Sequence, residues 1–352
     1  MTAASEKVRV MAPCRADLAG GTLDIWPIGI LHPGSVTVSM AIPVEVELVV
    51  DLGGEEGIVT HRDRQCGMTQ LRPEDVEESL TAAVAFALAP EGRARVTVIS
   101  QAPLRSGVGG SSAYGIALAR GLAELLGRPR TEAGLVALIR DLEARLLQTA
   151  TGEQDHWSAV RGGLVAVHSE PGGNRIESLD VAPEWVRDRA FVYFSGNRHQ
   201  SGMVNWRVVR RRLDGDRPTC KAFAAIAEAA VGCRVALLAG DEAGVGEAIR
   251  REWKARRRLA PEVSTPELDD LVRTACEQGA MAAKACGAGG GGSVVVWHPP
   301  GLRESIVEAL DAAVDNGRFL SAGTALEGCR IAVPPGSTGE VCALPAEPTL
   351  ES

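Results

Sequence analysis

Between residues 106 and 113 the chain reads Ser-Gly-Val-Gly-Gly-Ser-Ser-Ala, after a β-branched alternating stretch (RVTVIS, 95–100) and before an Ala/Leu-rich one. Gly107, Gly109 and Gly110 let a backbone approach an anion and turn successive N–H groups toward it. A following helix adds the positive end of its dipole, and the hydroxyls of Ser111 and Ser112 can meet phosphate oxygens or a cation. The chemistry on offer is phosphate binding. No Lys follows the loop, so it is not a Walker A motif, which needs G-x-x-x-x-G-K-[ST]. A dinucleotide loop of the G-x-G-x-x-G kind does not fit either, because Ser112 holds the last position and a second helix follows where a strand should come. On composition a structural turn fits as well as a nucleotide site.

Other candidates lie far away in sequence. Asp155, in GEQDHWSAVRGG (152–163), sits in a polar segment before apolar residues. A carboxylate there can take a proton from an attacking hydroxyl, or cap a helix. Arg15 and Asp24 fall in APCRADLAGGTLD (12–24), where an ion pair and a turn cap are the plain alternatives. Arg198 and Ser201, in SGNRHQSG, precede a helix whose N-terminus is either a second anion site or an ordinary cap.

The elements that hold these groups follow from periodicity. Residues 7–12 read as a short strand, 13–34 as a Gly/Pro loop, and 36–50 as two strands broken at Pro43. Residues 74–89 have helical spacing and 95–100 alternate again. A helix over 112–126 stops at Gly127 and Pro129, and another over 131–147 has Thr131 as N-cap and Glu132 in its first turn. Residues 148–163 read as a connection and 164–168 as a strand. The pattern weakens around 170–185, which sets the domain division at 185/186. A strand at 190–194, helices to about 285, a glycine loop leading into VVVWH, a helix at 302–315 and a strand at 329–333 complete an α+β chain. Residues 335–352, rich in Pro, Gly, Ser and Glu, read as a disordered tail.

The 352 residues suit two domains. Apolar residues are 45% and aromatics 4%, so the core must be mainly Ala, Val, Leu and Ile. A net charge of −8 argues against a general nucleic-acid role. The runs 210–212 and 256–258 are all Arg and read as solvated helix faces. The eight cysteines include no C-x-x-C pair and read as reduced thiols. No signal core starts the chain and no run approaches the ~20 apolar residues of a membrane helix. The expected setting is the cytoplasm, with no membrane or nucleic-acid partner.

Three segments, in order, resemble the signatures of the GHMP kinases. Pro103, Gly107, Val108, Gly109, Gly110, Ser111, Ser112 and Ala113 are similar to the second, P-x-x-x-G-L-G-S-S-A-A, with Gly110 where Ser or Thr is usual. Residues 12–24 are similar to the first, A-P-G-R-x-x-L-x-G-x-x-x-D, with Cys14 for Gly. KACGAGGGGSVVV (284–296) is similar to the third, K-x-S-G-A-G-G-G-G, with Cys286 for Ser.

The resemblance implies a two-domain α+β fold, ribosomal-protein-S5-like in residues 1–185 and ferredoxin-like with added helices in 186–334. It implies a kinase using ATP and Mg2+ on a small molecule, as monomer or homodimer. It casts Asp155 as catalytic carboxylate and Arg15 as its partner. Gly107, Gly109, Gly110, Ser111 and Ser112 would take the ATP phosphates, and Ser111 with Glu143 the magnesium. Asp24, Gly20, Gly21, His32, Gly34, Gln154, Arg198, Gly289 and Gly290 would bind the substrate. Lys284, one of four lysines, would fix the Gly287–Gly292 loop, reach an anion or serve a purely structural role. Residues 152–168, 194–202 and 251–271 look like the heptose 7-phosphate and L-fucose kinase branch, which phosphorylates an anomeric hydroxyl. TLDIWPIGILHP departs from that branch's G-x-D-x-x-P-Y pattern, which leaves other sugars, mevalonate- or homoserine-type substrates, and a non-catalytic regulator as alternatives.

Overall fold

The computed structural model describes residues 7–63, 67–100, 102–197, 202–287 and 289–332. Arg198, Ser201 and the tail 335–352 lie outside the described residues.

Twelve strands form two sheets among these residues. In the first, β1 (Lys7–Ala19), β2 (Val36–Asp51), β3 (Ile58–Asp63), β4 (Gly67–Leu71) and β5 (Arg93–Ser100) are joined by β6 (Leu164–Glu170), β7 (Gly173–Leu179) and β12 (Arg330–Ala332). Their order is β12-β1-β2-β5-β3-β4, and β6 pairs both β2 and β7. The second sheet is antiparallel, in the order β11-β8-β10-β9, from β8 (Ala190–Phe194), β9 (Ala282–Ala285), β10 (Ser293–Trp297) and β11 (Arg318–Ala322). The second sheet thus begins just past the 185/186 division, while the final strand returns to the first.

The two leading strands are longer than the sequence suggests. β2 runs unbroken through Pro43, because the β1 register jumps from Pro13↔Glu45 to Cys14↔Ile42. The bulge leaves Pro43 out of the ladder, where its missing N–H costs nothing. β1 likewise continues to Ala19, since Cys14, Ala16 and Leu18 are buried in the core, and the loop starts only at Gly20. Five other strands, β3, β4, β7, β9 and β11, escaped the periodicity altogether.

Helices α1 (Leu80–Leu88), α2 (Gly110–Leu125), α3 (Glu132–Leu147) and α4 (Gln154–Arg161) belong to the first half. After α5 (Pro183–Arg187) and α6 (Gly202–Leu213), α7 (Arg217–Ala239), α8 (Glu242–Arg256), α9 (Pro266–Glu277) and α10 (Arg303–Ala313) belong to the second. At 23 residues, α7 is long and apolar enough to cross a membrane, contrary to the expectation that no run approaches that length. It packs Phe223, Ile226, Ala230 and Cys233 into the interior, as a core helix does.

One buried ion cluster ties the halves together. Lys284 Nζ on β9 lies 3.1 Å from Asp17 Oδ2 on β1 and 2.9 Å from Glu252 Oε2 on α8. Arg256 Nε donates to Glu252 Oε1 at 2.7 Å, and its Nη2 lies 3.6 Å from Asp17 Oδ2. All four side chains are at most 2% exposed. Burial drives the Asp17 carboxyl upward, but Lys284, Arg256 and Arg15 outweigh it and hold it below its ordinary range. One reading of the sequence changes here. Arg256 is not part of a solvated run: only Arg257 and Arg258 are exposed. The contacts of Lys284 with Asp17 and Glu252 are those of the structural alternative.

Two cations balance two carboxylates inside this cluster, so removing one strands a buried charge, at about 3–5 kcal/mol. Lys284→Met is expected to lower the urea midpoint by that equivalent with an unchanged m-value. A loss below ~1 kcal/mol would mean that the cluster does not hold the halves together.

Candidate active site

β1 delivers Arg15 to the floor of a cavity of about 540 Å³. Arg15 Nε donates to Asp155 Oδ1 at 2.7 Å and its Nη2 to Asp155 Oδ2 at 3.0 Å, while Nη1 donates to the Gly107 carbonyl at 2.5 Å. The two-pronged pair sets both carboxylate oxygens. Arg15 is buried, and Asp155 is a quarter exposed toward the cavity. Burial alone would loosen the Arg15 proton, yet the charge and hydrogen bond of Asp155 tighten it further.

The glycine loop reaches the same point. Gly109, at φ 72°, is the N-cap of α2, and a Cβ there would stand 3.2 Å from the Asp155 carboxyl and 3.3 Å from Arg15 Cγ. A side chain at this position would press on the ion pair. The third glycine run packs on this loop as bare backbone: a Cβ on Gly292 would lie 2.6 Å from the Ser106 carbonyl, and one on Gly287 3.1 Å from that of Gly107. Two departures from the family signatures also meet, since a Cβ on Gly110 would touch Cys14 Sγ at 4.0 Å. The volume absent at one position is present at the other.

Asp155 is not in a loop. It is the second residue of α4, whose N-cap, Glu153, makes no side-chain cap. The cap comes from Asp24, 129 residues earlier, whose Oδ2 accepts the N–H groups of Glu153 at 2.7 Å and Gln154 at 2.9 Å. This approach requires glycine at 152, where a Cβ would fall 2.0 Å from Asp24 Oδ2. The helix carrying Asp155 is therefore positioned by the carboxylate beside it. Asp24 Oδ1 and Gln154 Oε1 are buried without hydrogen-bond partners among the described residues, and both residues line the cavity.

Glu143, on α3, accepts from Ser111 Oγ and Ser112 Oγ, each at 2.8 Å, and lies 2.9 Å from His156 Nε2. Burial raises its carboxyl, but His156 and the two serines outweigh this and hold it below its ordinary range. Burial lowers the His156 imidazole, and Glu143 more than reverses it. Hydroxyl and ionised carboxylate thus converge at the start of α2, the donor set that magnesium takes alongside water and phosphate oxygens. Among the described residues no three His, Cys, Asp or Glu side chains cluster as a metal site.

Other expected residues stand apart from the wall. Gly20 accepts from Thr37 Oγ1 and Gly21 from Arg256 Nη2. His32 Nε2 accepts from Arg212 and its ring packs against Phe223, while Gly34 has open space around it. Gly289 and Gly290 rest on the Val263 carbonyl. None of the six lines the cavity; the third glycine run meets it through Gly287. Conversely, Thr22, Arg256, His61, Asp63, Thr81 and Tyr114 do line it. No spacing rule links β3, α1 and α8 to the loop. Arg256 was hidden in a run of three arginines, and only the burial of its neighbours Trp253 and Ala255 marks its helix face.

Two sheets with helices, a glycine phosphate loop capping a helix, and an Arg–Asp pair beneath it define a phosphate-handling α+β fold. Residues 78–163 match the family model for the GHMP kinases N-terminal domain, and residues 233–316 that for the GHMP kinases C-terminal. The chain belongs to the GHMP kinases. It is 25% identical over 215 residues to the D-glycero-alpha-D-manno-heptose 7-phosphate kinase of Campylobacter jejuni, covering 60% of this chain and 63% of that one. It is 24% identical over 311 residues to the bifunctional fucokinase/GDP-fucose pyrophosphorylase of Arabidopsis thaliana, covering 81% and 29%. The matched stretches span less than two thirds of the length of the curated relatives. The crystal structure of a D-glycero-D-manno-heptose 1-phosphate kinase from Bacteriodes thetaiotaomicron superposes with a TM-score of 0.72 at 21% identity, over 93% of this chain and 99% of that one.

Burial pushes Asp24 up to about 6, against the backbone N–H bonds it accepts and with help from the charges of Asp155 and Asp17. Its unfolded carboxyl titrates near 3.9, so between the two values the folded state keeps a proton that the unfolded state has released. Stability therefore falls as pH rises through this window, by about 3 kcal/mol in total. Asp24→Asn keeps an acceptor for α4 and removes the titration. Its melting temperature relative to wild type is expected to rise from pH 4 to pH 8; parallel profiles would refute the assignment.

Proposed function

We propose that the protein transfers the γ-phosphoryl group of ATP to a sugar hydroxyl, the anomeric hydroxyl of D-glycero-D-manno-heptose 7-phosphate or a closely related sugar. The observation that carries this reading is the Arg15–Asp155 pair, which touches the phosphate loop on one side and the Asp24–Gln154 wall, with its unpartnered oxygens, on the other. The heptose assignment draws on the relatives named above.

The backbone N–H groups of the loop and the dipole of α2 receive the ATP phosphates. Asp24 Oδ1, Gln154 and the Arg256 guanidinium orient sugar hydroxyls beside Asp155. Asp155 accepts the hydrogen bond of the attacking hydroxyl and takes its proton as the new P–O bond forms and the bond to the leaving ADP breaks. Arg15 fixes the carboxylate and lowers the cost of negative charge on the oxygen. Ser111 and Glu143 would hold magnesium, which supplies charge neutralisation to the phosphates when bound.

Asp155→Asn is expected to lower kcat by about 10²–10⁴ with nucleotide affinity little changed. ADP release is measured with Mg·ATP against free and phosphorylated sugars. An unaltered rate removes Asp155 from the chemistry; silence with every sugar while ATP still binds favours a regulator. Glu143→Gln is expected to weaken Mg·ATP while leaving sugar affinity unchanged, as read by magnesium titration. A change in sugar affinity alone would place the phosphates elsewhere.

A further inference from the structure

Arg105 stands just before the glycine loop, in a turn that does not suit its residue type. The Ser106 N–H donates to the Pro103 carbonyl at 3.1 Å, which closes a β-turn over Pro103, Leu104, Arg105 and Ser106. Arg105, the third residue, has φ 60°, whereas Leu104 has no positive φ. This is the type II pattern, whose third position favours Gly or Asn. A residue with a Cβ is strained there. Arg105 is exposed, so no core packing offsets the strain. Its guanidinium has no hydrogen bond or ion pair among the described residues either.

The second observation is the charge of the cavity wall. Three arginines line it, Arg15, Arg105 and Arg256, against four carboxylates, Asp24, Asp63, Glu143 and Asp155. Asp155 engages Arg15 and Glu252 engages Arg256. Glu143 engages His156, and burial holds the His61 imidazole below its ordinary range, toward its neutral form. Among the described residues of the wall, Arg105 is thus the one permanent positive charge that no carboxylate compensates. A polyphosphate brings several negative charges, while loop N–H groups and a helix dipole offer only partial positive ones. A guanidinium meets phosphate oxygens two at a time. Arg105 is two residues from Gly107, so their Cα atoms lie within about 7 Å. Being both exposed and part of the wall, it stands at the cavity mouth.

We propose that Arg105 binds the terminal phosphates of the nucleotide, and that its strained turn is tolerated because of this contact. The inference rests on the phosphoryl-transfer reading above and adds to it a residue outside the glycine loop. The side chain takes phosphate oxygens that the loop N–H groups leave facing outward, and so favours di- and triphosphates over a monophosphate. A phosphorylated sugar offers the same oxygens. The chain neighbours of Arg105 are the glycine loop, however, whereas Asp24 and Gln154 meet at the start of α4.

The test compares Arg105→Gly with the wild-type full-length protein. Calorimetric titration with AMP, ADP and a non-hydrolysable ATP analogue, each with magnesium, reads the contact. A melting curve without ligand reads the turn. Glycine removes the guanidinium and relieves the backbone, so a phosphate contact and a structural role predict opposite results. The expected result is at least about tenfold weaker binding of ADP and the analogue, with AMP changed by less than about twofold. The melting temperature is expected to equal or exceed that of wild type. Arg105→Lys keeps the charge and the strain, and should recover part of the affinity. A lower melting temperature in Arg105→Gly with unaltered nucleotide affinity would overturn the proposal. So would an equal loss for AMP, ADP and the analogue, or a loss confined to a phosphorylated sugar. If Arg105→Gly binds nucleotide as wild type does while Asp155→Asn still abolishes transfer, only this inference fails. Wild-type protein that binds no nucleotide sinks both readings.

Discussion

Asp17 has no route to water, and that constraint shapes the molecule. A buried carboxylate must be compensated, and the compensation comes from Lys284 and Arg256 in the other half of the chain. Asp17 lies two residues from Arg15 on β1, so both project from the same face of the strand. The strand that joins the halves is thus also the one that aims Arg15 at Asp155, and the position of the ion pair is inherited from the junction. Arg256 belongs to both, since it holds Glu252 on one side and on the other donates to the Gly21 carbonyl and to Thr22, which lines the cavity.

The glycine-loop end of the site was legible because its chemistry is local. A glycine loop, the following helix and two serines are consecutive residues, and α2 and α3 begin within two residues of where their signals put them. The Asp24 end was legible only in part. Asp24 and Gln154 line the cavity, yet that Asp24 caps α4 is a contact across 129 residues, which no local pattern encodes. Asp155 read as a loop residue because α4 is short and its cap is remote. Pro43 was misread for a related reason: proline ends a regular strand, but the bulge that admits it is fixed by the pairing with β1.

Where the chain departs from the family signatures, the structure shows compensation in one case and a new contact in another. Cys14 and Gly110 replace a small and a larger residue with the reverse, and they are neighbours. His156, standing where Gln is usual in the resembling segment, brings an imidazole to Glu143 at 2.9 Å. The hydroxyls of Ser111 and Ser112 complete that carboxylate's partners at the start of α2.

The return of β12 to the first sheet has a consequence for biosynthesis. β1 is made long before its outer neighbour, with which it pairs from Arg9↔Ala332 to Met11↔Arg330. Until the ribosome has released that last strand, the nascent first sheet carries an open edge able to pair with another chain. Arg9, held by Glu47 on β2, stands on that open edge and discourages such pairing while synthesis is incomplete.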